Sequence, residues 1–74
     1  MVSRISDPRL TLAEPETRLQ LDLLLASHEL RDLDFMFDEL SHVQSDTWRI
    51  QISSNQAIRF EWIEKFGAFN IRLE

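Results

Sequence analysis

From Trp48 onward, large apolar residues recur at every second position. Trp48, Ile50 and Ile52 alternate with Arg49, Gln51 and Ser53; Ile58, Phe60 and Trp62 alternate with Arg59 and Glu61. Phe69, Ile71 and Leu73 repeat the pattern near the end of the chain. A period of two is that of a strand with one buried face, which predicts strands over 47–53, 57–63 and 68–73. Ser54-Asn55-Gln56 makes a short loop between the first two. Glu64 to Gly67 turns the chain into the third, with the only glycine where a positive φ is needed.

Upstream the period lengthens. Pro15 suits the first helical position, and the flanking Glu14 and Glu16 suit a helix N-terminus. The run to Leu30 carries Leu19, Leu21, Leu23, Leu24, Leu25 and Ala26, with no glycine or β-branched residue after Thr17. It predicts a helix over 15–30, apolar over a wide arc and so well buried. Leu33, Met36, Phe37 and Leu40 follow at i, i+3, i+4 and i+7, which predicts a short helix over 32–41, although Leu33, Phe35 and Phe37 also fit strand alternation. Residues 1–13 hold a proline and no clear period, and read as an irregular lead-in.

These elements make one α+β domain, with N-terminal helices packed on one face of a three-stranded antiparallel meander. Pairing Ile52 with Ile58 keeps the apolar residues on one side, and sets Arg49 opposite Glu61 and Gln51 opposite Arg59. Pairing Trp62 with Phe69 sets Glu61 opposite Asn70 and Arg59 opposite Arg72. Arg49, Arg59 and Arg72 then form one basic cluster on the polar face, a solvated face with Glu61 as counterion or an anion or partner site.

Length allows one domain and no more: 74 residues bury only about 60% of their unfolded surface. No cysteine is present, so no disulfide or thiolate zinc site staples the chain. Burial must supply the stability, from five Phe, two Trp and many Leu and Ile. A homodimer or another partner would add to it. No stretch reaches the ~20 apolar residues that span a bilayer, and the N-terminus lacks the apolar run of a signal peptide; the expected location is cytoplasmic.

The net charge of −5 is unevenly placed. Residues 1–47 hold ten acids against four arginines, and residues 48–74 hold three Glu against three Arg and one Lys. An acidic body repels nucleic acid, whose binding normally needs a basic stripe. Glu29, Asp32, Asp34, Asp38, Glu39 and Asp46, offset only by Arg31, are either a solubilising surface or one aimed at a basic partner.

Catalytic chemistry is thin. There is no Cys, no serine in a glycine-flanked elbow and no glycine-rich phosphate loop. Asp38 and His42 lie four apart and would share a helix face, but two such residues are more often a surface pair than metal ligands. His28 in the leucine-rich run reads as a helix-face residue, and Asp32 with Asp34 as a solvated acidic run. No catalytic residue, cofactor or metal site is assigned.

The segment Trp48-Arg-Ile-Gln-Ile-Ser-Ser-Asn-Gln-Ala-Ile-Arg-Phe-Glu-Trp62, followed by Gly67-Ala-Phe-Asn-Ile71, resembles the sheet of HigB-type toxins of the RelE superfamily. The resemblance runs over roughly residues 17–73 and implies a RelE/HigB-like fold. It further implies a ribosome-dependent mRNA endonuclease paired with an antitoxin, whose RNA-binding face would be Arg49, Arg59, Arg72 and His42. The sequence departs from that pattern where the chemistry lies. Ala57 stands at the position of the family's arginine, no lysine occurs in Ser41 to Thr47, and the terminal Asp-Tyr-His is missing.

The leading expectation is therefore a non-catalytic protein-binding module. It would be a small inhibitor of the kind mobile elements encode, similar to anti-CRISPR proteins. Its acids at Glu29, Asp32, Asp34, Asp38, Glu39 and Asp46 would occupy a basic nucleic-acid-binding groove of its target, anchored by Phe35. No direct nucleic-acid or membrane contact is expected. The alternative is the toxin-like endonuclease, with mRNA on the ribosome as its partner.

Overall fold

The computed structural model describes residues 4–74. A 3-10 helix, Pro8–Leu12, leads into α1 (Pro15–Ala26) and α2 (Leu30–Met36); β1 (Leu40–Gln44), β2 (Thr47–Ser53), β3 (Gln56–Ile63) and β4 (Gly67–Leu73) follow. The strands form one antiparallel sheet in the order β1-β2-β3-β4. The architecture is α+β, with four strands where three were expected.

The extra strand lies inside the segment expected to be helical over 32–41. Helix α2 ends at Met36, and Phe37 is already extended (φ −119°). The chain then turns at Asp38 and pairs Leu40 with Ile50 and His42 with Trp48. Leu33 and Phe37 keep their helical spacing and are buried, whereas Leu40 reaches the core as a strand residue and Met36 is exposed. A strand of five residues beside two acids carries too little apolar alternation to stand out from a helical stripe.

The helix expected over 15–30 is also shorter, because groups distant in sequence take its last backbone bonds. Arg4 donates to the Leu25 carbonyl at 3.1 Å, Lys65 N–H to the His28 carbonyl at 2.8 Å, and Leu30 N–H to the Glu64 carboxylate at 2.8 Å. Ser27 closes α1 through its own N–H and hydroxyl, bonded to the Leu24 and Leu23 carbonyls. The β3–β4 turn thus sets where α1 stops and α2 starts.

The sheet registers differ from expectation in two places. Ile50, not Ile52, faces Ile58, so Arg49 lies opposite Arg59 and Gln51 opposite Ala57. In β4, Asn70 takes a left-handed conformation (φ 49°), which Asn tolerates better than most residues. It forms a bulge that shifts the alternation by one residue. Ala68 therefore pairs with Trp62 on the core face, and Phe69 moves opposite Glu61, while Ile71 and Leu73 stay with the core. Arg59 does face Arg72, as expected.

The core lies between the helices and one sheet face: Leu10, Leu21, Leu24, Leu33 and Phe37 pack over Ile50, Ile58, Phe60, Trp62, Ala68 and Ile71. The lead-in belongs to this core. Leu10 is fully buried, a gain of about 2 kcal/mol for a side chain of its size. Ile5 bridges Ile71 in parallel, so the segment covers the outer edge of β4, and the Arg4 Nε–H donates to the Ala68 carbonyl at 2.6 Å. Residues 1–3 of the expected lead-in lie outside the described residues.

Asp7 fastens that segment. Its carboxylate accepts from the Arg9 guanidinium at 2.6 Å, from the Arg9 N–H at 3.0 Å and from the Leu73 N–H at 3.1 Å. Chiefly through the Arg9 side chain, these bonds outweigh desolvation and hold the Asp7 carboxyl far below the usual carboxylate range. A depressed folded-state value means stability that is present above the ordinary value, near pH 4, and lost as pH falls further. Glu29, held down mainly by its bond from Lys65, and Glu74, held down mainly by Arg49, act in the same direction. The denaturant midpoint should therefore fall as pH drops from about 4 through the acid range. Asp7→Asn should lower the midpoint at neutral pH and flatten that acid slope, as a denaturation series in pH would read directly.

Gly67 meets two requirements at once. Its φ is +112°, and an added Cβ would stand 2.8 Å from the Ser27 carbonyl oxygen and 2.7 Å from the Arg4 guanidinium. Gly67→Ala should cost about 2 kcal/mol, from backbone strain and displacement of the α1 terminus. Equilibrium urea unfolding at neutral pH measures it.

Candidate functional site

Helix α1 carries two apolar stripes. Thr17, Leu21 and Leu24 face the core, while Leu19, Leu23 and Ala26, at the same i, i+4, i+7 spacing, face outward. Leu19 is 59% exposed and Phe35 is 89% exposed, values unusual for side chains of this size. Leu23, Ala26 and Ser27 from α1 meet Asp32, Phe35 and Met36 from α2 across an open groove of about 390 Å³. Leucines at 19, 21, 23, 24 and 25 occupy more of the helix circumference than one sheet face can cover. That was the signal for Leu19 and Leu23 in the sequence, where they read as buried.

One acid lines this groove, and others lie elsewhere on the same helical layer. Asp22 lies on the outward stripe of α1, and Asp32 lines the groove itself. Asp34 borders a second hollow of about 220 Å³ with Leu30, Arg31, Leu40 and Trp48, and Asp38 and Glu39, just after α2, border a third of about 190 Å³ with Gln20, Ile50 and Gln51. All five are exposed, and among the described residues none has an ion-pair partner. Glu29 differs: it is half-buried and bridged to Arg31 at 2.7 Å and Lys65 at 3.0 Å. Asp46 is also set apart, at the β1–β2 turn, the length of a five-residue strand or about 15 Å from Glu39. The structure therefore places Asp32 and Phe35 in one groove, Asp34 beside a second hollow and Asp38 with Glu39 beside a third, and leaves Glu29 as a structural bridge and Asp46 at the far end of the hairpin.

The cations are used elsewhere. Arg9, Arg31, Arg49, Arg59, Lys65 and Arg72 all form ion pairs. Arg18 donates to the Thr11 carbonyl, and Arg4 to the carbonyls of Leu25 and Ala68. Arg31 alone of these lies on α2, where it lines the second hollow beside Asp34 while its ion pair goes to Glu29. An exposed carboxylate so placed is drawn to a cation outside the chain.

On the opposite face of the sheet, Arg49, Arg59 and Arg72 are direct register partners across β2, β3 and β4. Glu74, a residue that sequence reasoning did not single out, bridges Arg49 and Arg59, and Glu61 lies beside Arg72. His42 is not with them. It pairs with Trp48, whose parity puts it on the helix side of the sheet; the two rings lie 4.5 Å apart, and the imidazole meets the Ser45 carbonyl at 2.7 Å. Since Asp38 sits in a turn and His42 on β1, the two do not share a helix face. His28 is exposed in the link between α1 and α2, where its carbonyl is bonded by Lys65.

Among the described residues, no helix is long and apolar enough to cross a membrane. The fold and these surfaces define an α+β architecture with a helical layer on one sheet face, a largely apolar groove lined by Asp32 in that layer and an arginine row behind it. Comparison with protein-family models, with curated proteins and with solved structures finds no match to this chain.

Proposed function

We propose that this chain is a non-catalytic protein-binding module whose α1–α2 groove and surrounding acids engage a protein with a basic surface. One observation carries this reading: Leu19, Leu23, Phe35 and Met36 are left outside the core on the layer that carries Asp22, Asp32, Asp34 and Asp38, and among the described residues none of these four acids has an ion-pair partner. Apolar anchors ringed by charge are the usual composition of a binding hot spot. The acids speed encounter with a basic partner, and the anchors, once desolvated, slow its departure. The partner we infer has a groove of lysines and arginines of the kind that holds nucleic acid, with the carboxylates taking the place of phosphates. The chain then acts as an inhibitor by occupancy.

Asp32, Asp34 and Asp38 changed together to Asn should weaken the complex at least tenfold at low salt, a loss that mM salt in the hundreds reproduces in the unchanged chain. Solvated acids contribute little to stability, so the variant should unfold at nearly the wild-type midpoint. Phe35→Ala should weaken binding with little salt dependence, and nucleic acid should compete with the module for its partner. Affinity measured on the co-purified partner checks all of this; indifference to both the triple substitution and salt would remove the acids from the interface.

The arginine row favours a second reading, an mRNA endonuclease of the HigB/RelE kind. Glu74 and Glu61 occupy its arginines, and Ala57 stands where that chemistry needs a further cation. Purified protein added to translating ribosomes should leave mRNA intact. Codon-specific cleavage that disappears in Arg59→Ala would establish the enzyme instead.

A further inference from the structure

The arginine row stands on its own, independent of the helical groove. Arg49, Arg59 and Arg72 occupy one line across three strands, with successive backbones about 4.8 Å apart. Like charges opposed in this way repel unless an anion lies between them. Glu74 supplies one anion: its Oε2 accepts from Arg49 Nε and its Oε1 from Arg59 Nη2, the latter at 2.7 Å. Glu61 serves Arg72 less well. The same oxygen accepts a close bond from the Asn70 amide, and Arg72 Nη1 stands 3.5 Å away, turned instead to the Asn70 carbonyl at 2.6 Å.

Donors are left over. Arg49 commits its Nε, Arg59 its Nη2 and Arg72 its Nη1, while Arg59 Nε is buried without a partner. Three guanidinium groups share two carboxylates, so the row keeps a positive charge inside an acidic chain. The side chains of all three arginines, and that of Glu74, remain about one-third exposed, the Arg59 Nε apart.

We propose that this row is a binding site for a phosphate group, with the Glu74 carboxylate holding it in the ligand-free protein. A guanidinium presents its N–H groups as a fork that matches phosphate oxygens two at a time. The two oxygens of Glu74 satisfy two arginines; a phosphate monoester, with three terminal oxygens and a second negative charge, extends the bridge to the third. Glu74 is placed to yield. Its backbone N–H is tied to the Ala57 carbonyl at 3.0 Å, so the side chain can swing out while the strand end stays in place.

The full chain is titrated with inorganic phosphate and, in parallel, with a nucleoside 5′-monophosphate, with chloride keeping the ionic strength constant. The Nε–Hε signals of Arg49, Arg59 and Arg72 in nitrogen-edited NMR report occupancy. Saturable shifts at all three are expected. Glu74→Gln, which removes the competing ion pairs, should tighten phosphate about fivefold. Arg59→Gln should abolish the shifts, and Arg72→Gln serves in its place should that variant not fold. Equal affinity for the two probes assigns the site to the phosphate group alone; tighter binding of the nucleotide assigns it to an esterified ligand. Shifts that do not saturate, that chloride alone reproduces, or that persist unchanged in the arginine variants would overturn the proposal.

Discussion

Phe60 lies at the centre of the one sheet face that carries the core, fully buried with Ile58 and Ile71, and among the described residues two helices and a 3-10 turn cover it. The other face carries Arg49, Arg59, Glu61 and Arg72, and among the described residues no element packs over it. The helical segment must therefore fold back over the sheet, and the N-terminal segment must close the gap it leaves. Leu10 supplies the last fully buried leucine, and Arg4 ties the end of α1 to β4 from the same segment. Gly67 allows this, because any side chain there would push apart the backbone of Ser27 and the guanidinium of Arg4.

The charges are sorted as well. Cations bridge elements that have little apolar contact: Lys65 joins the β3–β4 turn to Glu29, Arg9 holds Asp7 beside β4, and the arginine row is stitched by Glu74 and Glu61. Few cations are left for the outer side of the helices, where the acids stand alone beside Leu19, Leu23 and Phe35. The molecule thus has two unlike surfaces. One is apolar and negative on the helical layer; the other carries the arginine row on the sheet.

Much of the sheet was legible in the sequence. The period of two over residues 48–62 placed β2 and β3, since alternation reports directly which side of a pleated strand is buried. The facing of Arg59 and Arg72 followed from the apolar pattern of their strands. The short strand β1 was hidden because Leu33, Met36, Phe37 and Leu40 satisfy a helical spacing, and nothing local says that the helix stops at Met36. The acids and Phe35 were identifiable by type, but the groove between them was not, because it needs the crossing of two helices that sequence describes only one at a time.

Residue types and their spacing alone determined an α+β fold class, an apolar sheet face, an acidic helical half and a sheet half of nearly balanced charge. Tertiary structure decided the rest. The Asn70 bulge moved Phe69 off the core face, Glu64 and Lys65 set the gap between the end of α1 and the start of α2, and β1 carried His42 away from the arginines. It also aligned Arg49 with Arg59 by shifting the β2–β3 register two residues from the expected one, with Glu74 between them. Periodicity reports which face a residue takes. Register, helix ends and the meeting of distant charges depend on backbone groups finding partners far along the chain, and no local pattern encodes those.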